Sequence, residues 1–155
     1  MSDIFDHEKL DVYRLTLEFI GWVAVLLKEL HAQPGVTLGE VRDQLDRASL
    51  SILLNTAEGN GKRQMPLRAR YFDDARGSAM ECAACLDALV AKQLTTNERI
   101  VPGKQMLVRI VSMLSRMVER FSGTGYVREE TAVYGGAVKS EDEDDDENED
   151  ERKKE

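Results

Sequence analysis

The chain has 155 residues, 42% of them apolar and 32% charged, with three prolines and two cysteines. That length suits one domain with one core that needs no disulfide or metal staple. The longest strongly apolar run, Phe19 to Leu27, lies between Glu18 and Lys28 and is far short of the ~20 residues a membrane-spanning helix needs. Asp3, Asp6, Glu8 and Asp11 at the start oppose a secretory signal, which opens on basic residues. Cys82 and Cys85 form no disulfide framework, so a reducing, cytoplasmic setting is expected.

The formal net charge of −8 sits entirely in the last fifteen residues. Residues 141–155 hold eleven acids and three bases, whereas residues 1–140 hold eighteen of each. Within that neutral body, residues 1–58 carry five bases and ten acids, and residues 59–140 carry thirteen bases and eight acids. Lys62, Arg63, Arg68 and Arg70 fall in a stretch with no acid. An acidic whole-chain balance is therefore no argument against a nucleic-acid partner for the body. The run Glu141 to Glu151 cannot bury apolar area and repels itself, which predicts a disordered tail over 141–155. Such a tail serves solubility, or folds back over a basic surface and competes with phosphate.

Four segments have helical period, and none reads as a strand. The first runs from about Asp6 to His31, with Leu10, Tyr13, Leu17, Ile20, Ala24 and Leu27 three and four apart on one face. Trp22, Val23 and Val25 broaden that stripe, and Pro34-Gly35 ends the helix. The second runs from about Thr37 to Glu58 on a heptad-like seam of Leu38, Val41, Leu45, Ala48 and Ile52. Thr37 with Glu40 matches a capping box, and Gly59-Asn60-Gly61 is the expected stop. The third runs from about Pro66, a good first-turn residue, to Lys92. Its seam is Phe72, Ala75, Ala79, Cys82, Leu86 and Leu89. The fourth follows a second capping box, Thr95 with Glu98, and reaches Phe121 on Ile100, Leu107, Ile110, Leu114, Met117 and Phe121. Pro102 predicts that its regular part begins there, and Ser122-Gly123 stops it.

Four helices with short connections bury their seams most simply as an antiparallel up-down four-helix bundle over residues 1–122. Residues 123–140 show no usable period and read as a linker. Trp22 and Val25, with Met106, Val111, Met113 and Val118, lie off the main stripes. Such excess apolar width implies either a subunit interface or broad stripes within one bundle.

The candidates for chemistry are thin. Cys82-Ala-Ala-Cys85 has redox spacing but lies in mid-helix on the core face, where cysteines act as small hydrophobes. Glu58-Gly59-Asn60-Gly61-Lys62-Arg63 lacks the first glycine and the hydroxyl of a phosphate loop and follows a helix. His7 and His31 stand near opposite ends of one helix and read as surface residues. No nucleophile, base and oxyanion hole come together, so no catalytic residue, metal site or cofactor is expected.

Two polar constellations remain. Arg47, Ser51, Asn55 and Glu58 form a ladder along helix 2. Antiparallel pairing with helix 3 predicts an Arg47–Glu81 ion pair and a close approach of Ser51 to Gly77. Arg109, Arg116 and Arg120 share a face of helix 4. With Lys62, Arg63, Arg68 and Arg70 they can present cations to phosphates, or else form a solvated helix face.

The stretches Gln44–Arg63 and Arg70–Leu89 carry a resemblance. Gln44, Arg47, Ala48, Ser51, Ile52, Asn55, Ala57, Glu58 and Gly59, followed by Phe72, Ala75, Gly77, Ser78 and Glu81, resemble the two-part pattern of the proteins encoded in intervening sequences of bacterial 23S rRNA genes. Phe5, Leu10, Val12 and Tyr13 resemble that family's opening. The resemblance implies an antiparallel four-helix bundle assembled as a homo-pentamer. It gives Arg47, Ser51, Asn55, Glu58, Gly59, Gly77, Ser78 and Glu81 a structural role. It also implies kinship with the accessory variability proteins of diversity-generating retroelements, whose pentamers bind a reverse transcriptase and nucleic acid. Here Gln33-Pro34-Gly35-Val36-Thr37 replaces the family's aromatic-proline entry to helix 2, and an acidic tail is added.

The sequence thus points to a non-enzymatic, cytoplasmic homo-oligomer. Its expected partner is RNA, DNA or a nucleoprotein such as a reverse transcriptase, held through phosphate contacts by Lys62, Arg63, Arg68, Arg70, Arg109, Arg116 and Arg120. The competing class is a protein-interaction scaffold with no nucleic-acid role, and a third is an enzyme whose site is built between subunits. No membrane partner is expected.

Overall fold

The computed structural model describes residues 3–123. The acidic tail and, Gly123 apart, the linker lie outside them. The described residues form a short 3-10 turn, Asp6–Lys9, then α1 (Asp11–His31), α2 (Gly39–Gly61), α3 (Met65–Ala91) and α4 (Asn97–Ser122), with no strand among them. α2 packs along α3 and α3 along α4, while α1 completes a four-helix bundle against α2 and α4. Ser51 meets Ser78, Arg76 meets Ser115, Lys104 meets Asp87 and Glu29 meets Arg99.

The seams of α2 and α3 are as their heptads predict. Leu45, Ala48 and Ile52 on α2, and Phe72, Ala75, Ala79, Cys82, Leu86 and Leu89 on α3, are all at most 2% exposed; Leu38 is also buried, and Val41 packs half-buried against the core. On α4 Ile100, Leu107, Ile110 and Leu114 are buried, and Met117 and Phe121 pack partly buried against the same core. Gly123 ends α4 with φ +66°, a left-handed conformation that glycine adopts at little cost.

α1 is turned about its axis relative to the expected seam. Its buried face is Val12, Leu15, Thr16, Phe19, Val23, Leu26, Leu27 and Leu30. Leu17 and Ala24 are exposed and Tyr13 and Ile20 are half-buried. Two stripes of helical period compete on this helix, and the buried one brings Phe19 and four leucines to the core. Thr16 joins it without penalty because its hydroxyl donates to the Val12 carbonyl at 2.7 Å. α1 also starts later than expected. Glu8 accepts the Phe5 N–H at 2.6 Å, Leu10 is extended at ψ 130°, and the α-helix begins at Asp11.

Both expected capping boxes shift. α2 starts on Leu38 with no side-chain cap, because Leu38 is buried in the core and draws the entry inward past Thr37. At α4 the cap is Thr96, whose oxygen accepts Arg99 N–H at 3.2 Å. Pro102 lies inside α4, which already begins at Asn97. Proline there leaves one carbonyl of the first turn unpaired and is tolerated because Pro102 is exposed. α2 continues through Gly59 to Gly61. Gly59 is buried, and a Cβ there would stand 2.8 Å from the Tyr71 Cβ and 3.1 Å from the Phe72 ring. It is a helical close-approach residue, not a stop.

Most of the supposed excess apolar width is absorbed. Val111 and Val118 are buried, and Trp22, Met106 and Met113 pack partly buried on the core. Val25 alone of that set is exposed, at 54%.

Candidate functional site

The end of α2, the start of α3 and the end of α4 are tied together by one arginine. Arg68 donates to the backbone carbonyl and, at 3.2 Å, to the side-chain oxygen of Asn60. Its guanidinium lies 4.9 Å from the centre of the Phe121 ring, and Phe121 packs 5.8 Å from Phe72. Arg68 thus satisfies a carbonyl orphaned at the end of α2 and complements the negative pole of that helix. Lys62 is also engaged, 3.6 Å from Glu58 and 4.9 Å over the Tyr71 ring.

The other five expected phosphate contacts, Arg63, Arg70, Arg109, Arg116 and Arg120, are exposed. Arg63 and Arg70 flank the Arg68 anchor in sequence, and Arg120 lies beside it, 5.3 Å from the same Phe121 ring. Arg116 is one turn back along α4. Arg109 stands two turns further, roughly 10 Å along the axis at 1.5 Å per residue. Glu58, Asp73, Asp74 and Glu119 are exposed on the same turns, so the surface is a set of separate cations rather than a continuous positive field. Each exposed guanidinium can hold one phosphate in a two-point hydrogen bond.

The polar ladder of α2 joins the helices by a different residue from the one expected. Arg47 and Glu81 are both exposed, and no ion pair joins them among the described residues. The contact between α2 and α3 is a 2.8 Å hydrogen bond between the hydroxyls of Ser51 and Ser78. Asn55 donates to the Ser51 hydroxyl and carbonyl, each at 3.0 Å, and Ser78 donates to the Asp74 carbonyl at 3.1 Å. Gly77 is exposed, with nothing within 4 Å of where a Cβ would stand. The close approach belongs to Gly59 instead.

Cys82 is buried and Cys85 half-buried, and both are free thiols. Burial pushes the Cys82 thiol far above its ordinary range, with Cys85 and Glu81 adding to the shift. Burial, then Glu81, raises Cys85 as well. A reactive cysteine needs the opposite shift. His7 is half-buried, not a bare surface residue, and packs 5.5 Å from the Phe5 ring and 4.9 Å from Tyr13. Among the described residues no three His, Cys, Asp or Glu side chains are grouped to hold a metal ion, and no helix is long and apolar enough to cross a membrane.

The feature that seam counting misses is the outer face of α1. From Leu15 to Leu27 the only charged residue is Glu18, so this helix is apolar nearly all round although one side faces water. That count is visible in the sequence, but which side faces water is not.

The fold and these sites define a small helical-bundle protein in which Ser51 of the polar ladder joins α2 to α3 and separate cations stand exposed on its surface. The model of the 23S rRNA-intervening sequence protein family matches residues 8–116 of this chain. The chain belongs to that family. No curated protein matches it.

Proposed function

We propose that the protein is a non-enzymatic, cytoplasmic homo-oligomer, assembled as a pentamer of antiparallel up-down bundles, that binds the phosphates of nucleic acid or of a nucleoprotein partner. Arg63, Arg70, Arg109, Arg116 and Arg120 make the contacts, and Lys62 and Arg68 hold the surface in shape. The supporting observation is that Arg63, Arg70, Arg116 and Arg120 are all exposed, and that Arg120 shares the Phe121 ring with Arg68. The paired contacts of the helices support the antiparallel topology: lower-numbered residues of α2 meet higher-numbered ones of α3, and likewise from α3 to α4. Repetition of a weak patch around an oligomer raises avidity by ~10²–10⁴ without any new contact.

Fluorescence anisotropy with labelled single- and double-stranded RNA and DNA tests this reading. The full chain is compared with a chain ending at Lys139, from low to moderate salt. Binding should weaken steeply with salt, by a log–log slope of about −0.7 to −0.9 per phosphate contact, and tighten without the acidic tail. The triple variant Arg63→Gln, Arg70→Gln, Arg120→Gln should lose binding at unchanged helicity. Absence of binding by both forms at low salt would overturn the reading. The protein-interaction scaffold would then stand, with the uncovered apolar face of α1 as its support.

A further inference from the structure

We propose that copies of this chain associate by seating the outer face of α1 of one copy on the outer face of α2 of the next, clamped by Arg14 against Glu58 and Lys28 against Asp43. This rests on the homo-oligomeric reading above and assigns it a surface.

A helix that is apolar all round is one that is covered all round. α1 is nearly such a helix over Leu15–Leu27, with Glu18 its one charge, yet Leu17 and Val25 are 46% and 54% exposed. α3 also exposes Met65, Leu67 and Met80, but Arg70, Asp73, Asp74 and Asp87 face solvent along it, and α4 exposes Gln105, Arg109 and Arg116 and no large apolar side chain. α2 presents the second uncovered patch, Leu50 and Leu54, at 49% and 56%. They are four residues apart and share one face.

Charge complementarity favours a second copy as the occupant. On α1 the uncovered face is bounded by two cations, Arg14 and Lys28. On α2 it is bounded by two anions, Asp43 and Glu58, the latter still 54% exposed beside its own Lys62 at 3.6 Å. The separations match, fourteen residues against fifteen, or roughly 21–22 Å at 1.5 Å per residue.

The register agrees as well. Within one copy a single groove is lined by Lys28 and His31 from α1 and by Arg42 and Asp46 from α2, so Lys28 stands at the height of Asp43. Rotation about an axis parallel to the bundle leaves every height unchanged. In an assembly about such an axis, Lys28 therefore reaches Asp43 of the next copy, and Arg14 reaches its Glu58. Between these clamps Leu17 is level with Leu54, and Leu50 is level with Gly21, where open space surrounds the missing Cβ. Arg14 donates one bond to the Glu8 carbonyl at 3.0 Å through Nε, which leaves its terminal nitrogens for the clamp. Two charges have no opposite in this register, Arg47 on α2 at the height of Ala24 and Glu18 on α1 near the height of Leu54.

α1 and α2 occupy neighbouring corners of the bundle, so their outer faces are not back to back. A head-to-tail contact between them turns at every copy, and it closes into a ring when that turn divides a full rotation.

Light scattering on the full chain, with helicity followed by circular dichroism, tests this. Wild type should give a multiple of the 17.5 kDa chain mass. Lys28→Glu, Asp43→Lys and Leu54→Glu should each reduce the mass towards one chain at unchanged helicity, and the double swap of Lys28→Glu with Asp43→Lys should restore it. A wild type that stays monomeric over the whole concentration range overturns the homo-oligomeric reading and this surface together. An oligomeric wild type whose mass survives all three single changes overturns this surface alone, as does a double swap that fails to restore assembly.

Discussion

The indole of Trp22 on α1 lies directly on Gly103 of α4, so close that its ring occupies the place a Cβ would take. Trp22 is itself held between Phe19, 6.0 Å away, and the Arg99 guanidinium, 5.4 Å away. It therefore has little freedom to retreat.

Gly103→Ala should destabilise the bundle by about 1–3 kcal/mol through overpacking, outweighing the ~1 kcal/mol that alanine gains over glycine in a helix. Urea denaturation of the purified variant measures it. An unchanged or raised midpoint would show that Trp22 can move aside.

Gly59 and Gly77 should respond in opposite directions to the same change. Gly59→Ala meets Tyr71 Cβ at 2.8 Å, backbone-proximal and unable to swing away, and should cost about 1–3 kcal/mol. Gly77→Ala enters open space on α3 and should gain roughly 0.5–1 kcal/mol from helix propensity. Thermal melts of the two variants side by side would check the contrast.

Ser51→Ala and Ser78→Ala should each cost about 0.5–1.5 kcal/mol, since each removes the 2.8 Å bond between α2 and α3. Because the two hydroxyls bond each other, the double variant should cost less than the two singles added. A double-mutant cycle reads that coupling. Arg47→Ala, by comparison, should be nearly neutral to folding, as it removes no contact with Glu81.

Cys82 links stability to alkaline pH. Burial raises its folded-state pKa above the ~8.5 of an unfolded thiol, so above about pH 8.5 the unfolded chain releases a proton that the folded one keeps. Stability should be fully present below that pH and fall as it rises, by up to ~1.4 kcal/mol per pH unit for this group. Cys82→Ala should flatten the fall between pH 8.5 and 10. In the native protein Cys85 should react with a thiol reagent before Cys82.

Gln93 closes α3 with φ +60°, where its neighbour Leu94 donates back to the Leu89 carbonyl at 3.0 Å. Glycine is the usual residue at such a position. Gln93→Gly should raise stability by about 1 kcal/mol, as the left-handed conformation penalises a Cβ by roughly that amount. A lower melting temperature would count against the strain.

The legible part of this protein is the part where one stripe of period 3.6 has no rival. α2 and α3 each carry a single heptad-like seam among polar residues, and these seams are buried as read. The same local reading failed on α1 because two stripes of equal period run along it. Hydrophobic spacing says that a helix has apolar faces, not which of two faces meets its neighbours. Both caps stand one position beyond the capping boxes because the entry to a helix is set by what the preceding side chain does. Leu38 buries and pulls the start past Thr37, which no pattern of hydroxyl and carboxylate reveals.

The polar ladder divides in the same way. That α2 and α3 would be joined by a member of the series Arg47, Ser51, Asn55 and Glu58 follows from i, i+4 spacing alone. Which member makes the contact depends on the axial offset and rotation of two helices brought together by Gly59 under Phe72. A shift of one turn exchanges Arg47 for Ser51. The sequence by itself determined that the described residues are helical, that three of the helices turn known faces inward, and that the net charge lies in residues 141–155. Those properties are sums over neighbours along the chain. Only the tertiary structure decided which face of α1 stays in water, which serines meet, and which arginines are already committed to a carbonyl and a ring. These depend on the distance between residues far apart in sequence, and local spacing carries no information about that distance.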